Sequence, residues 1–93
     1  MTEEFTIIDK EDIALLKFPT TDVLDDVDEI KTRISDINRA LSLGNLEHSK
    51  IKIFFEDDES KKIVDTTVWG VTYKNVMLKQ GVMIPIHRIY KLF

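Results

Sequence analysis

The sequence predicts an α+β domain in which a long N-terminal helix precedes a strongly bent antiparallel sheet of four to five strands, arranged like a small barrel. Three observations carry this expectation. Between Asp22 and Leu43 the apolar residues recur at every third or fourth position, which lines one side of a helix. From Lys50 onward they alternate, as in a strand with one buried face. Gly70, Gly81 and Pro85 then fall where a short sheet needs corners.

The 93 residues suffice for one domain and not for two, divided into an arm over 1–20, a helix over 21–44 and a sheet over 50–93. In the arm, Glu4–Ile8 alternates weakly and reads as a short edge strand. Asp9 followed by Asp12 reads as a helix start, and Ile13, Leu16 and Phe18 share a face of a short helix over 10–17. Pro19 ends it, because the residue before a proline avoids the α region.

The long helix carries Val23, Val27, Ile30, Ile34, Ile37 and Leu41 on one stripe. Thr21 or Asp22 offers a side-chain oxygen to the free amides of the first turn. Asp25, Asp26, Asp28 and Glu29 lie early and Arg33 and Arg39 later, the order the helix dipole favours. Gly44-Asn45 is the expected stop, since both residues tolerate left-handed geometry. The first strand spans Lys50–Glu56, with Ile51, Ile53 and Phe55 on one face. Asp57-Asp58-Glu59-Ser60 turns into a second strand, Lys62–Thr72, bent at Gly70. Val76–Lys79 and Val82–Ile86 follow around Gln80-Gly81, and His87–Leu92 completes the sheet beyond Pro85.

Composition narrows the function classes. The absence of cysteine removes disulfides and every thiolate metal site. Met1-Thr2-Glu3-Glu4 lacks the basic-then-apolar layout of a secretory signal, and no apolar run approaches the roughly 20 residues that span a bilayer. A cytoplasmic protein with no membrane partner is expected. Residues 1–49 hold twelve acidic and five basic side chains, whereas residues 50–93 hold five acidic and eight basic ones. Such a split arises from helix–sheet complementarity or from a basic binding surface in the second half.

No serine sits in a Gly-x-Ser-x-Gly setting, and three glycines at 44, 70 and 81 cannot form a phosphate loop. His48 and His87 lack ligand-pair spacing, and Glu56-Asp57-Asp58-Glu59 lacks the spaced acids of a calcium loop. That acidic run reads as a solvated hairpin tip. No catalytic residue, metal or cofactor is therefore expected. Two features are double-valued. The helix stripe either packs on the protein's own sheet or forms the seam of a helix pair. Trp69 and Tyr73 read as core more readily than as a stacking platform. In the C-terminal run, His87, Arg88, Tyr90 and Lys91 alternate with Ile84, Ile86, Ile89 and Leu92. They read either as edge protection or as contacts to a phosphate or base.

A helix followed by five bent strands, the last two meeting at Ile86-His87-Arg88-Ile89, resembles the Sm-like and SH3-like small β-barrels. Val76-Met77-Leu78-Lys79 resembles the third strand of the bacterial Sm-like RNA chaperone. Gly81 with Ile84-Pro85-Ile86-His87-Arg88-Ile89 resembles the close of the RNA cyclic-group end-recognition domain. The resemblance implies RNA binding and reaches His87 and Arg88. The function expected from the sequence is a non-enzymatic interaction module, meeting a protein partner or its own second copy through Val23, Val27, Ile30, Ile34, Ile37 and Leu41. The alternative is single-stranded nucleic acid or RNA bound through Lys74, Lys79, His87, Arg88, Tyr90 and Lys91.

Overall fold

Alternation of Ile51, Ile53 and Phe55 against Lys52, Phe54 and Glu56 builds the central strand of the computed structural model, which describes residues 4–93. The elements in chain order are β1 (Thr6–Ile8), α1 (Val27–Glu47), β2 (Ile51–Glu56), β3 (Lys61–Thr66), β4 (Val68–Val71), β5 (Asn75–Leu78), β6 (Met83–Pro85) and β7 (Ile89–Leu92). A 3₁₀ segment, Lys10–Leu15, follows β1, and shorter ones, Lys79–Gly81 and Ile86–Arg88, flank β6. The α+β class stands, with one long helix and two sheets, ordered β1-β3-β2-β7 and β4-β5-β6. The sheets do not close into a barrel. The single bent strand expected over Lys62–Thr72 divides at Thr67, where the chain leaves one sheet for the other.

The arm contributes the edge strand the sequence suggested, paired parallel to β3 with Ile7 opposite Ile63. Its helical segment is 3₁₀ and Asp9 makes no side-chain cap, yet Ile13 is buried and Leu16 and Phe18 pack against the core as their spacing implied. Lys79–Gly81 turns tightly between β5 and β6, with Gln80 at φ 69° and Gly81 at φ 78°; the left-handed region costs glycine nothing.

The helix starts later and ends later than its pattern suggests. Asp22 accepts the Leu24 amide at 2.8 Å and also binds Arg33, so it stands outside the helix. Asp26 is the N-cap, taking the Glu29 amide on its carboxylate, and thereby satisfies one donor that lacks a carbonyl partner. Gly44 does not stop the helix. It is buried where α1 crosses β4. A side chain there would overlap the Val68 carbonyl oxygen and come within 3.3 Å of Thr67 Cγ2. The stop is His48, in the left-handed region at φ 54°, its amide reaching back to the Gly44 carbonyl at 3.2 Å.

The core joins Ile37 and Ala40 of α1 to Ile51, Ile53, Phe55, Val64, Val68, Val76, Leu78, Ile84, Ile89 and Leu92 from both sheets. Among the described residues no helix is long and apolar enough to cross a membrane.

Candidate interaction surfaces

The residues singled out in the sequence fall on the α1 stripe, beside a cleft at Trp69, and in a set of internal polar ties. The first is the stripe of α1, which splits lengthwise. Ile37 is 4% exposed and belongs to the core, while Ile30 and Leu41 are half-buried along the border. Val27 and Ile34 remain 62% and 53% exposed. Val23 precedes the helix, where its amide donates to the His87 carbonyl at 2.9 Å. Arg33 takes the place on the buried face that the apolar pattern had left out, together with Ala40 and Gly44.

The C-terminal polar set does not form one surface. Arg88 is 6% exposed, and its guanidinium donates to the Glu56, Asp57 and Thr21 carbonyls at 3.0, 3.3 and 2.8 Å. This corrects the expectation that Arg88 presents itself to a ligand: it ties the β2–β3 turn to the segment ahead of α1. Its fork of donors reaches three carbonyls at once, which a single ammonium does not. His87 lies with Nε2 at 2.8 Å from the Pro19 carbonyl, so that nitrogen carries the proton and donates it. The Tyr90 hydroxyl donates to Glu56 Oε1. Lys74 stands at the β4–β5 turn with its ammonium 5.3 Å from the Tyr73 ring centre, and Lys79 lies at the next turn. Only Tyr90 and Lys91 share a face.

The acidic run at the β2–β3 turn is likewise partly internal. Asp57 is buried, accepting the Ser60 amide and the Lys62 ammonium at 2.9 and 2.8 Å. Burial pushes its carboxyl up, but the Lys62 ammonium and the Ser60 and Glu59 amides outweigh this and hold it below the ordinary aspartate value. Among the described residues no cluster of three histidine or acidic side chains could hold a metal ion.

Trp69 was expected in the core and is instead more than half exposed. The register of β4 and β5 shifts between Val68 and Gly70, so Trp69 is the bulged residue and turns outward. Its ring lies 6.4 Å from that of His48. Both border a cleft of about 550 Å³ with Lys10, Lys50, Asp65 and Lys79. The cleft mixes both charge signs and encloses no orphaned buried group, so its chemistry selects no ligand.

The third surface is the outer face of the four-stranded sheet, which the sequence reading did not single out. Phe54 sits at its middle. Phe5 reaches over from the arm to meet Phe54 edge-on, with ring centres 5.2 Å apart, and Tyr90 at 5.8 Å. Phe93 meets Phe54 from the other side at 5.5 Å. Lysines lie over these rings: the Lys91 ammonium is 4.9 Å from Phe54 and 5.0 Å from Phe93, and the Lys61 ammonium is 5.4 Å from Tyr90. One signal was present in the sequence. Phe54 and Phe93 fall on the polar phase of their strands, opposite to Ile53 and Leu92.

No known protein family matches the chain, and no curated protein or solved structure does either.

Proposed function

We propose that this protein is a non-enzymatic interaction module that pairs with a second copy of itself through the outer edge of α1. The reading rests on Val27 and Ile34, which lie seven residues apart and stay more than half exposed while Ile37 anchors the same helix in the core. Seven-residue spacing keeps an apolar seam facing a partner helix over two turns, and Ile30 and Leu41 widen it. Covering each exposed side chain is worth about 1 kcal/mol, which favours weak, reversible pairing over an obligate dimer.

A non-enzymatic role fits the polar interior, where Arg33, Asp57 and Arg88 are engaged in holding segments together. The likeness to small barrels draws support from the order of pairing. β2 pairs with β3, the chain bends into β4, β5 and β6 follow, and β7 returns beside β2 after a 3₁₀ turn. A cytoplasmic setting accords with the lack of cysteine.

Sedimentation velocity from tens to hundreds of micromolar tests the pairing. The expected result is a concentration-dependent dimer that Ile34→Asp abolishes without lowering the melting temperature by more than a few degrees. Ile37→Asp, by contrast, unfolds the chain. A monomer at every concentration, or a dimer that survives Ile34→Asp, overturns the reading.

A further inference from the structure

We propose that the outer face of the four-stranded sheet binds single-stranded nucleic acid, with Phe54 and Phe93 stacking bases while Lys52 and Lys91 hold the backbone. This surface is separate from the α1 edge. Phe93 is 64% exposed, and Lys52 pairs beside it in the sheet through reciprocal backbone bonds of 3.1 and 2.9 Å. Phe54 and Lys91 are direct neighbours in the next register position. Aromatic rings and ammonium groups thus alternate across β2 and β7 within a few ångströms of one another.

The alternation points to a nucleotide chain. Phe93 is exposed and Phe54 is half-buried beneath the Lys91 ammonium. A cation–π contact open to water is weak, so an arriving phosphate draws the ammonium aside and uncovers the ring for the attached base. Phosphate and base belong to the same residue of the ligand, which couples the two events. Every base has a flat face, and stacking is therefore tolerant of sequence; in a duplex those faces are already covered by neighbouring bases.

Within an overall net charge of −4, the cations that lie on or over the aromatic face are Lys52, Lys61 and Lys91. Neither Lys52 nor Lys91 closes an ion pair with a described residue. Of the acids near these rings, Glu56 is occupied by the Tyr90 hydroxyl, and Asp65 stands opposite Lys52 in the register. Asp28, Glu29 and Asp36 of α1 line a groove with Tyr90 and Lys91 at one border of the face, Asp36 being 3.5 Å from Arg39. An acidic peptide would meet the lysines but gain nothing from the flat rings, and a second copy of the same face would bring lysine against lysine.

Fluorescence anisotropy of a labelled oligouridylate of about ten nucleotides, titrated with the full chain at about 50 mM salt, tests the proposal. Binding is expected to fall steeply with added salt, through release of counterions. Phe93→Ala and Lys91→Glu, both at exposed positions, are each expected to weaken it roughly tenfold with circular dichroism unchanged. An abasic strand of equal length is expected to bind at least about tenfold more weakly. Ile34→Asp leaves the affinity unchanged, which separates this site from helix pairing. The proposal is overturned by no binding at low salt, by equal binding of the abasic strand or of polyglutamate, or by indifference to Phe93→Ala.

Discussion

Asp22 and Arg33 form a two-pronged ion pair, Oδ1 to Nη1 at 2.9 Å and Oδ2 to Nη2 at 2.8 Å, that fastens the segment ahead of α1 onto the helix. Nη1 also donates to the Ile89 carbonyl at 3.1 Å, so the same guanidinium reaches β7. Its Nε is buried and has no hydrogen-bond partner among the described residues.

The two partners are unequally wet, and the pair should therefore respond asymmetrically to mutation. The Arg33 side chain is 5% exposed and that of Asp22 is 35% exposed. Asp22→Ala leaves a buried cation with a single carbonyl and is expected to cost about 2–3 kcal/mol, below the roughly 3–5 kcal/mol of a fully buried pair because Asp22 touches water. Arg33→Met leaves a carboxylate able to hydrate and fills the same space with apolar atoms, so it should cost less. Urea denaturation of both variants checks the order; a larger loss for Arg33→Met would contradict it.

Gly44→Ala sets two effects against each other. Alanine in a helix interior is favoured over glycine by about 1 kcal/mol. At this position the new methyl group overlaps the Val68 carbonyl oxygen and approaches its carbon to 3.1 Å. Backbone atoms of a paired strand cannot swing aside as a side-chain tip can, so α1 has to lift from β4, at a cost of about 1–3 kcal/mol for an overpacked site. A net loss is expected, read as a melting temperature lowered by roughly 5–10 °C. A stabilised variant would mean that α1 shifts over Val68 at less cost than the gain in helix propensity.

The helix and the β2 alternation were legible in the sequence because each is a local rhythm. What was not legible depends on partners far along the chain. Arg33 bonds a carbonyl 56 residues away, and Arg88 bonds Thr21 across 67 residues; nothing beside either arginine in the sequence distinguishes a buried staple from a surface charge. Gly44 was misread for a related reason: a glycine near a helix end suggests a stop, whereas here it makes room for Val68. Trp69 turned outward through a bulge that period-two counting cannot register. Of the candidate surfaces, the helix stripe was visible as a stripe, but its division into buried and exposed edges needed the crossing of α1 over β4.

Arg88 supplies a sharper case of the staple. Its guanidinium serves carbonyls where β2 enters the β2–β3 turn and in the segment ahead of α1, along with the Thr21 hydroxyl at 3.2 Å. Arg88→Lys keeps the charge but offers one compact ammonium in place of a fork. It is expected to lose about 2 kcal/mol, by leaving buried carbonyls unpaired, and to loosen the β2–β3 turn. Amide hydrogen exchange of Glu59 and Ser60, which are held by Asp57 at 3.2 and 2.9 Å, should quicken more than that of Ile53. Equal protection throughout would argue against the tie.

Acid should weaken the fold through the same turn. The Asp57 carboxyl titrates below the ordinary 3.8 in the folded chain: burial raises it, and the Lys62 ammonium with the Ser60 and Glu59 amides lowers it further than that. Asp22 is lowered as well, first by its bonds to Arg33. A carboxylate whose folded value lies beneath its unfolded value contributes stability in full above the unfolded value, and the contribution is lost as pH falls through the folded one. The melting temperature should accordingly hold steady from neutrality to about pH 5 and decline below about pH 4. Asp57→Asn keeps the oxygen that accepts both amides and the Lys62 ammonium but removes the charge that pairs with Lys62, so it should be less stable by about 2 kcal/mol near neutrality. Because asparagine does not titrate in this range, the gap between variant and wild type should narrow as pH drops toward 3 and below. Parallel melting curves with a constant gap across that interval would show that Asp57 is not the group carrying the acid sensitivity.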